Sequence, residues 1–443
     1  MTYYLDPFGC AKNQVDAENM MAFLNRAGWF AAENGEAADL IIINSCGFIE
    51  SAKQESINAV LSWRKNYPEK KILLAGCLAQ RYSRELAETL PEVDAFFGID
   101  DLSGIAEAAA AIIPGRTGPA EKSAEFTDRT GCRPLLSMPG SAYVKISDGC
   151  DNHCSYCAIP LIRGRFKSRH VKDIIEECKI LLGRGIKELC LIGQDLGSFG
   201  KDFTNDPGGL AGLMKALSRL EGDFWIRLLY IHQDNFPMSI LGIIEQDKRF
   251  LPYFDIPFQH GSEKILQKMN RRGNCKTYLE LIEKIRSRFD DAVIRTTFLT
   301  GFPGETEEDF ELLLDFQQKA RVDWLGCFAY SREEDTPAFG MKGRVAKKLS
   351  IERRGLVEER QIPITEKQME RFVSRNFEVL VEEKFEAHDN DKQETLYLGR
   401  LPFQAPEVDG AAVIISSRAL ELGAKLPCRV IARRGIDLEV KPR

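Results

Sequence analysis

Two stretches of this chain switch repeatedly between short apolar runs and helical spacing, and nothing else in the sequence restricts its fold as much. In the first, Tyr3–Leu5, Leu40–Ile43, Ile72–Ala75 and Ala95–Phe97 read as strands, with helices at Asp16–Arg26, Glu50–Trp63, Gln80–Leu90 and Ala106–Ile113. Strands that are apolar throughout and alternate with helices belong in a parallel sheet covered on both faces. The expected fold class is therefore α/β, opening with a doubly wound parallel-sheet domain over residues 1–117.

The alternation resumes near residue 141. Tyr143–Ile146, Glu188–Ile192, Trp225–Tyr230, Tyr253–Ile256, Val293–Leu299 and Trp324–Tyr330 read as strands, with helices such as Val171–Leu182, Leu210–Leu220, Lys276–Arg288 and Thr306–Ala320 between them. Six such units predict a partial parallel (β/α)6 barrel over 139–370. Its last stretch, Ala346–Glu370, is charged and helical, with a kink expected at Pro363. From Phe372 the texture changes to five short strands, which predicts a small antiparallel β-barrel over 371–443. Residues 118–138 read as a linker, and Cys132 lies in it.

The chain carries 12 cysteines. Its first residues lack the basic-then-apolar pattern of a secretory leader, and no run reaches the roughly 18 apolar residues of a membrane helix. A cytoplasmic chain of this size does not use cysteines as a disulfide scaffold, so clustered ones point to metal or redox chemistry. Cys150-Asp-Asn-His-Cys154-Ser-Tyr-Cys157 forms a C-x3-C-x2-C run. A [4Fe–4S] cluster usually takes four thiolates, so three leave one iron open. The competing reading is zinc with His153 as fourth ligand, but His153 adjoins Cys154, which makes convergence awkward.

A second triplet follows from topology. Cys10, Cys46 and Cys77 each lie just past the carboxyl end of a predicted strand, the edge where open α/β sheets bind ligands. Three buried core cysteines would be the bland alternative. The flanks Gly9-Cys10, Asn44-Ser45-Cys46-Gly47 and Gly76-Cys77 are turn-like, as ligand loops should be. Cys178, Cys190, Cys275, Cys327 and Cys428 show no metal spacing.

The C-x3-C-x2-C run, with Tyr156 before its last cysteine, resembles the signature of the radical S-adenosylmethionine (SAM) enzymes. The resemblance implies that the open iron chelates SAM, whose one-electron cleavage gives a 5′-deoxyadenosyl radical, with Tyr156 near the adenine. Gly193-Gln194-Asp195 follows the second barrel strand and could receive the SAM amino group, or be a plain strand-end turn. Gly301 and Gly304, after the fifth strand, permit close backbone approach to a ligand, and Thr306 could cap the next helix. His260, after the fourth strand, reads as a proton acceptor or a polar lid residue. Arg163 and Arg165 could bind a carboxylate or phosphate, or form a solvated basic turn.

The chain as a whole resembles the methylthiotransferases: an N-terminal domain with three cysteines, a radical SAM core and a TRAM barrel. Gly9-Cys10-Ala11-Lys12-Asn13-Gln14-Val15-Asp16, Ala158-Ile159-Pro160-Leu161-Ile162-Arg163-Gly164, Asp255-Ile256-Pro257-Phe258-Gln259-His260 and Ala405-Pro406-Glu407-Val408-Asp409-Gly410 are similar to the branch that modifies an aspartate of the twelfth small-subunit ribosomal protein. Ala11, Ala17 and Gln233 depart from that branch, and none is an expected cluster ligand. The resemblance implies two [4Fe–4S] clusters and two SAM molecules per turnover, one a radical source and one a methyl donor. It also implies a sulfur carried on the second cluster, an electron donor such as flavodoxin or ferredoxin, and a sulfur source. The alternative branch methylthiolates adenosine in transfer RNA.

Charge bears on that choice. The formal net charge is −6, and residues 371–443 carry equal numbers of acidic and basic side chains. A barrel that grips RNA should show a basic excess, so a protein substrate fits better than nucleic acid.

Overall fold

The computed structural model describes residues 1–113, 132–205, 208–385 and 394–443. It divides into two compact units. One comprises Met1–Leu136, Asp148–Glu177 and Ser331–Phe339; the other comprises Ser137–Ser147, Cys178–Tyr330 and Gly340–Arg443. Most of the expected linker lies outside the described residues. Arg133, at its described end, is not linker-like: its guanidinium is buried between Glu18 (2.7 Å) and Glu177 (2.5 Å).

The first unit is built on β1 (Thr2–Pro7), α1 (Ala11–Arg26), β2 (Phe30–Ala31), β3 (Leu40–Ser45), α2 (Glu50–Asn66), β4 (Lys71–Gly76), α3 (Cys77–Thr89), β5 (Ala95–Phe97) and α4 (Ile105–Ile112). All pairings are parallel, in the order β2-β1-β3-β4-β5. Alternate residues of each strand face opposite sides. Leu40, Ile42, Leu73 and Ala75 pack with Met20, Leu24, Ile105 and Ala109. Ile41, Ile43, Ile72 and Leu74 pack with Val60, Leu78 and Ala79. Both faces are therefore covered, as the unbroken apolar runs required. The two-residue edge strand β2 was not expected, being too short and exposed to leave a pattern.

The chain continues through β6 (Ser141–Lys145), β7 (Ser147–Asp148), the cysteine loop, α5 (Ile159–Arg163), β8 (Lys167–Ser168) and α6 (Val171–Gly183). The second unit adds β9 (Glu188–Ile192), α7 (Gly209–Leu217), β10 (Trp225–Leu228), α8 (Ser239–Gln246), β11 (Tyr253–Asp255), α9 (Glu263–Lys268), α10 (Cys275–Arg286), β12 (Val293–Thr300), α11 (Glu307–Ala320) and β13 (Trp324–Ala329). Strands β10-β9-β6 and β11-β12-β13 form two parallel three-stranded runs, the six strands of the expected partial barrel. The third strand stops at Leu228, short of the expected Tyr230, because Tyr230 takes a left-handed φ of 67°. Thr306 does cap α11, in a reciprocal capping box with Asp309. The final helix α12 (Lys347–Glu370) runs on through Pro363.

Strands β14 (Asn376–Phe385), β15 (Thr395–Arg400), β16 (Ala412–Ser416), β17 (Lys425–Arg434) and β18 (Asp437–Pro442) close into a barrel in the order β14-β15-β16-β18-β17. The expectation of a purely antiparallel barrel is corrected: β16 and β18 run parallel. Directions cannot alternate all the way around a closed ring of odd strand number. The barrel is fastened to the amino ends of the core strands. Arg400 donates to Glu188 at the start of β9 (2.5 Å) and to Ser141 at the start of β6 (2.8 Å). Tyr253, first in β11, donates to Asp409 (2.6 Å), and Trp324, first in β13, donates to the Phe403 carbonyl (3.0 Å).

Candidate functional site

Cys10 ends the β1–α1 turn, Cys46 follows β3 directly, and Cys77 opens α3. Parallel strands of one sheet deliver all three to the same edge. Two glycines let the loops close. Gly9 takes φ 95°, and a Cβ there would stand 3.2 Å from Cys46 Cβ. A Cβ on Gly47 would meet the Cys77 carbonyl oxygen at 2.7 Å. The thiols also act on one another electrostatically, Cys10 on both partners and Cys46 on Cys77.

Around them lies a polar cradle that the sequence did not announce. Asn13, one turn into α1, donates to the carbonyls of Phe8 (3.1 Å) and Ser45 (2.9 Å). Its Oδ1 accepts from the Cys77 thiol at 3.0 Å. Arg163, the last residue of α5, sends Nη2 to Asp16 (2.7 Å), Asn13 (2.8 Å) and Cys77 Sγ (3.2 Å). Its Nη1 reaches Asp148 at 3.2 Å. Asn13 and Asp16 could have been suspected only as polar residues on the inner face of α1.

The thiols differ in acidity. Burial pushes Cys77 up to about 12 against the pull of Arg163. Burial likewise raises Cys46. Cys10 is exposed as a whole residue, yet its thiol is crowded by neighbouring atoms. Burial opposes its ionisation, but the charges of Lys12 and Arg163 and nearby backbone N–H groups hold it below its ordinary value. Deprotonating all three needs a further positive centre, which a metal cluster provides. Among the described residues no three His, Cys, Asp or Glu side chains close on a single ion. Three thiols delivered to one sheet edge are the kind of donor set that an iron–sulfur cluster would take.

Cys150, Cys154 and Cys157 lie on a loop of the same unit, all half-buried. The Cys150 N–H donates to Gly164 O (3.3 Å) and the Cys157 N–H to Cys154 O (3.1 Å), which folds the loop back on itself. Tyr156 is half-buried beside Cys157. Ala158, just before α5, and Ile162 within it pack with Cys77 in one apolar cluster. Cys77 therefore packs against the segment that follows the cysteine loop.

The arginines separate. Arg163 is corrected from a solvated or substrate-binding residue to a buried one, because Asp16 and Asp148 claim its guanidinium. Arg165 is 92% exposed, 3.6 Å from Asp151.

In the second unit, Gly193-Gln194-Asp195 follows β9. Both amide atoms of Gln194 and the hydroxyl of Ser147 are buried without a partner. A Cβ on Gly193 would stand 2.5 Å from that hydroxyl. Buried polar atoms left unsatisfied at the carboxyl ends of barrel strands fit a polar ligand such as SAM. Asp195 does not share this freedom. It accepts from Gly197 N (3.0 Å), Ser198 Oγ (2.7 Å), His232 N (3.0 Å) and Asn235 Nδ2 (2.6 Å), so it holds the turn instead.

Three further candidates have partners inside the protein. Gly301 faces Ser350 and donates to Glu305, and Gly304 donates to the Gly343 carbonyl, so both are explained by contacts inside the protein. His260 is fully buried, 3.2 Å from Glu305, which pairs with Arg353 at 2.6 Å. It is neither a lid nor open to substrate.

Known proteins agree with this layout. Residues 2–98 match the uncharacterized protein family UPF0004, 144–316 the radical SAM superfamily, and 373–442 the TRAM domain. The chain is 46% identical over 470 aligned positions to the ribosomal protein uS12 methylthiotransferase RimO of Treponema denticola, covering 98% of this chain and 99% of that one. The protein of the same name from Thermosipho africanus is 41% identical, over 93% and 92% of the two chains. In fold, the chain is similar to the radical SAM methyltransferase TsrM of Kitasatospora setae, with TM-score 0.55 at 14% identity over 76% of this chain and 73% of that one. By its near full-length identity to such relatives, this chain belongs to the ribosomal protein uS12 methylthiotransferase family.

Proposed function

We propose that this chain is a radical SAM transferase that adds a methylthio group to the β-carbon of an aspartate in ribosomal protein uS12. The observation that carries the reading is its match, along 93–98% of its length, to proteins bearing that name. No helix among the described residues is long and apolar enough to cross a membrane. We place the reaction in the cytoplasm, with a ribosomal protein rather than transfer RNA as substrate. An electron donor such as flavodoxin or ferredoxin and a separate sulfur source complete the reading.

Cys150, Cys154 and Cys157 would hold a [4Fe–4S] cluster that binds SAM, and Cys10, Cys46 and Cys77 a second cluster. When bound, these groups supply what side chains do not: a radical that removes hydrogen from an unactivated carbon, a sulfur atom, and a methyl group from a second SAM. The chain's own residues bind and orient. Asn13 and Arg163 fix the Cys77 sulfur. Gln194 and Ser147 offer buried polar atoms to a polar ligand beside Gly193. Asp195 keeps that turn rigid.

The test is direct. Anaerobically reconstituted enzyme is incubated with SAM, reductant, sulfide and either uS12 or an anticodon stem-loop. Methylthio mass on the uS12 aspartate is expected; mass on the RNA alone would contradict the reading.

A further inference from the structure

We propose that Arg163 is a positioning residue that raises the reduction potential of the centre held by Cys10, Cys46 and Cys77. The proposal rests on the reading that this triplet binds a cluster. Arg163 sits at the carboxyl end of α5, and its side chain is 2% exposed. It places one fixed positive charge 3.2 Å from the Cys77 sulfur. A cluster ligated by thiolates is anionic, and reduction adds a further negative charge. A buried cation beside a ligating sulfur favours the reduced form, because little solvent screens it. The N–H···S hydrogen bond acts in the same direction.

Two carboxylates oppose that charge. Asp16, 2.7 Å from the guanidinium, is buried, and Asp148 is 38% exposed and partly screened by water. Asp16 therefore offsets part of the arginine charge, and its removal should have the opposite effect to removal of the arginine. Asn13 accepts from both Arg163 and Cys77, so the orientation of all three groups is fixed together. Lysine could keep the charge but not the fork that touches Asp16, Asn13 and Cys77 at once.

The experiment uses the full chain with Cys150, Cys154 and Cys157 changed to alanine, which leaves only the N-terminal centre. Arg163→Gln, Arg163→Lys and Asp16→Asn are added singly. After anaerobic reconstitution, iron is counted and the potential is titrated by electron paramagnetic resonance. With about four irons per chain, Arg163→Gln should lower the potential, Arg163→Lys should lower it less, and Asp16→Asn should raise it. The parent's potential in all three variants at full iron would overturn the proposal. If Arg163→Gln holds no iron, Asp16→Asn decides: no rise overturns it. A parent without iron would instead defeat the second-cluster reading, and this proposal with it.

Discussion

Glu188 shows how much one residue can decide in this fold. It is fully buried, with Arg227 at 2.8 Å and Arg400 at 2.5 Å. Burial would raise its carboxyl, but the two guanidinium groups outweigh that and hold it at about 2. Its stabilisation is thus complete above the ordinary value of 4.5 and is lost as pH falls toward about 2. Glu188→Gln leaves two buried cations short of a counter-charge and should cost about 3–5 kcal/mol in urea unfolding. The gap between wild type and variant should be constant above pH 5 and shrink on acidification; a gap that widens in acid would refute this. Nothing in the sequence marks Glu188, since Arg400 is brought to it only by tertiary folding. The cysteines were legible because thiols cluster for few reasons. The burial of Arg163 and His260 was not legible, because the same side chains serve solvent, substrate or a buried partner, and only packing chooses.

At the scale of elements, most strands and long helices were readable to within a few residues, because β3 is buried at all six positions and the helices keep their apolar spacing, although α1 begins at Ala11 rather than Asp16. What escaped was contact between distant segments. Glu333 pairs with Lys53 at 3.1 Å and with Arg81 at 2.8 Å, across some of the longest separations in the chain, and leaves no local pattern. Strand parity alone requires at least one parallel pair in a closed five-stranded ring, but that it is β16–β18 is shown only by the fold. The loop after β3 yields a sharper test. In Gly47→Ala the new methyl would press on the Cys77 carbonyl carbon and oxygen and on Leu78 Cα, all backbone atoms that cannot swing aside. The expected cost is about 1–3 kcal/mol, together with loss of iron from the N-terminal triplet only. Full iron in a variant of unchanged thermal stability would show that the loops are looser than described.

At the scale of the whole molecule, the small barrel is part of the core it follows. It engages the first residues of β6, β9, β11 and β13, the end of a parallel barrel associated with stability rather than chemistry. Truncation after Glu370 should therefore strand Glu188 with Arg227 alone, expose the amino ends of those strands and give aggregated protein; a soluble, cooperatively melting 1–370 fragment would contradict this. The chemistry rests on the other claim, that two thiol triplets each hold an iron–sulfur cluster. The most direct measurement is iron per chain after anaerobic reconstitution, in wild type and in Cys10→Ala/Cys46→Ala/Cys77→Ala. The account predicts about eight irons falling to about four. About four in both proteins would mean that the N-terminal triplet binds no cluster.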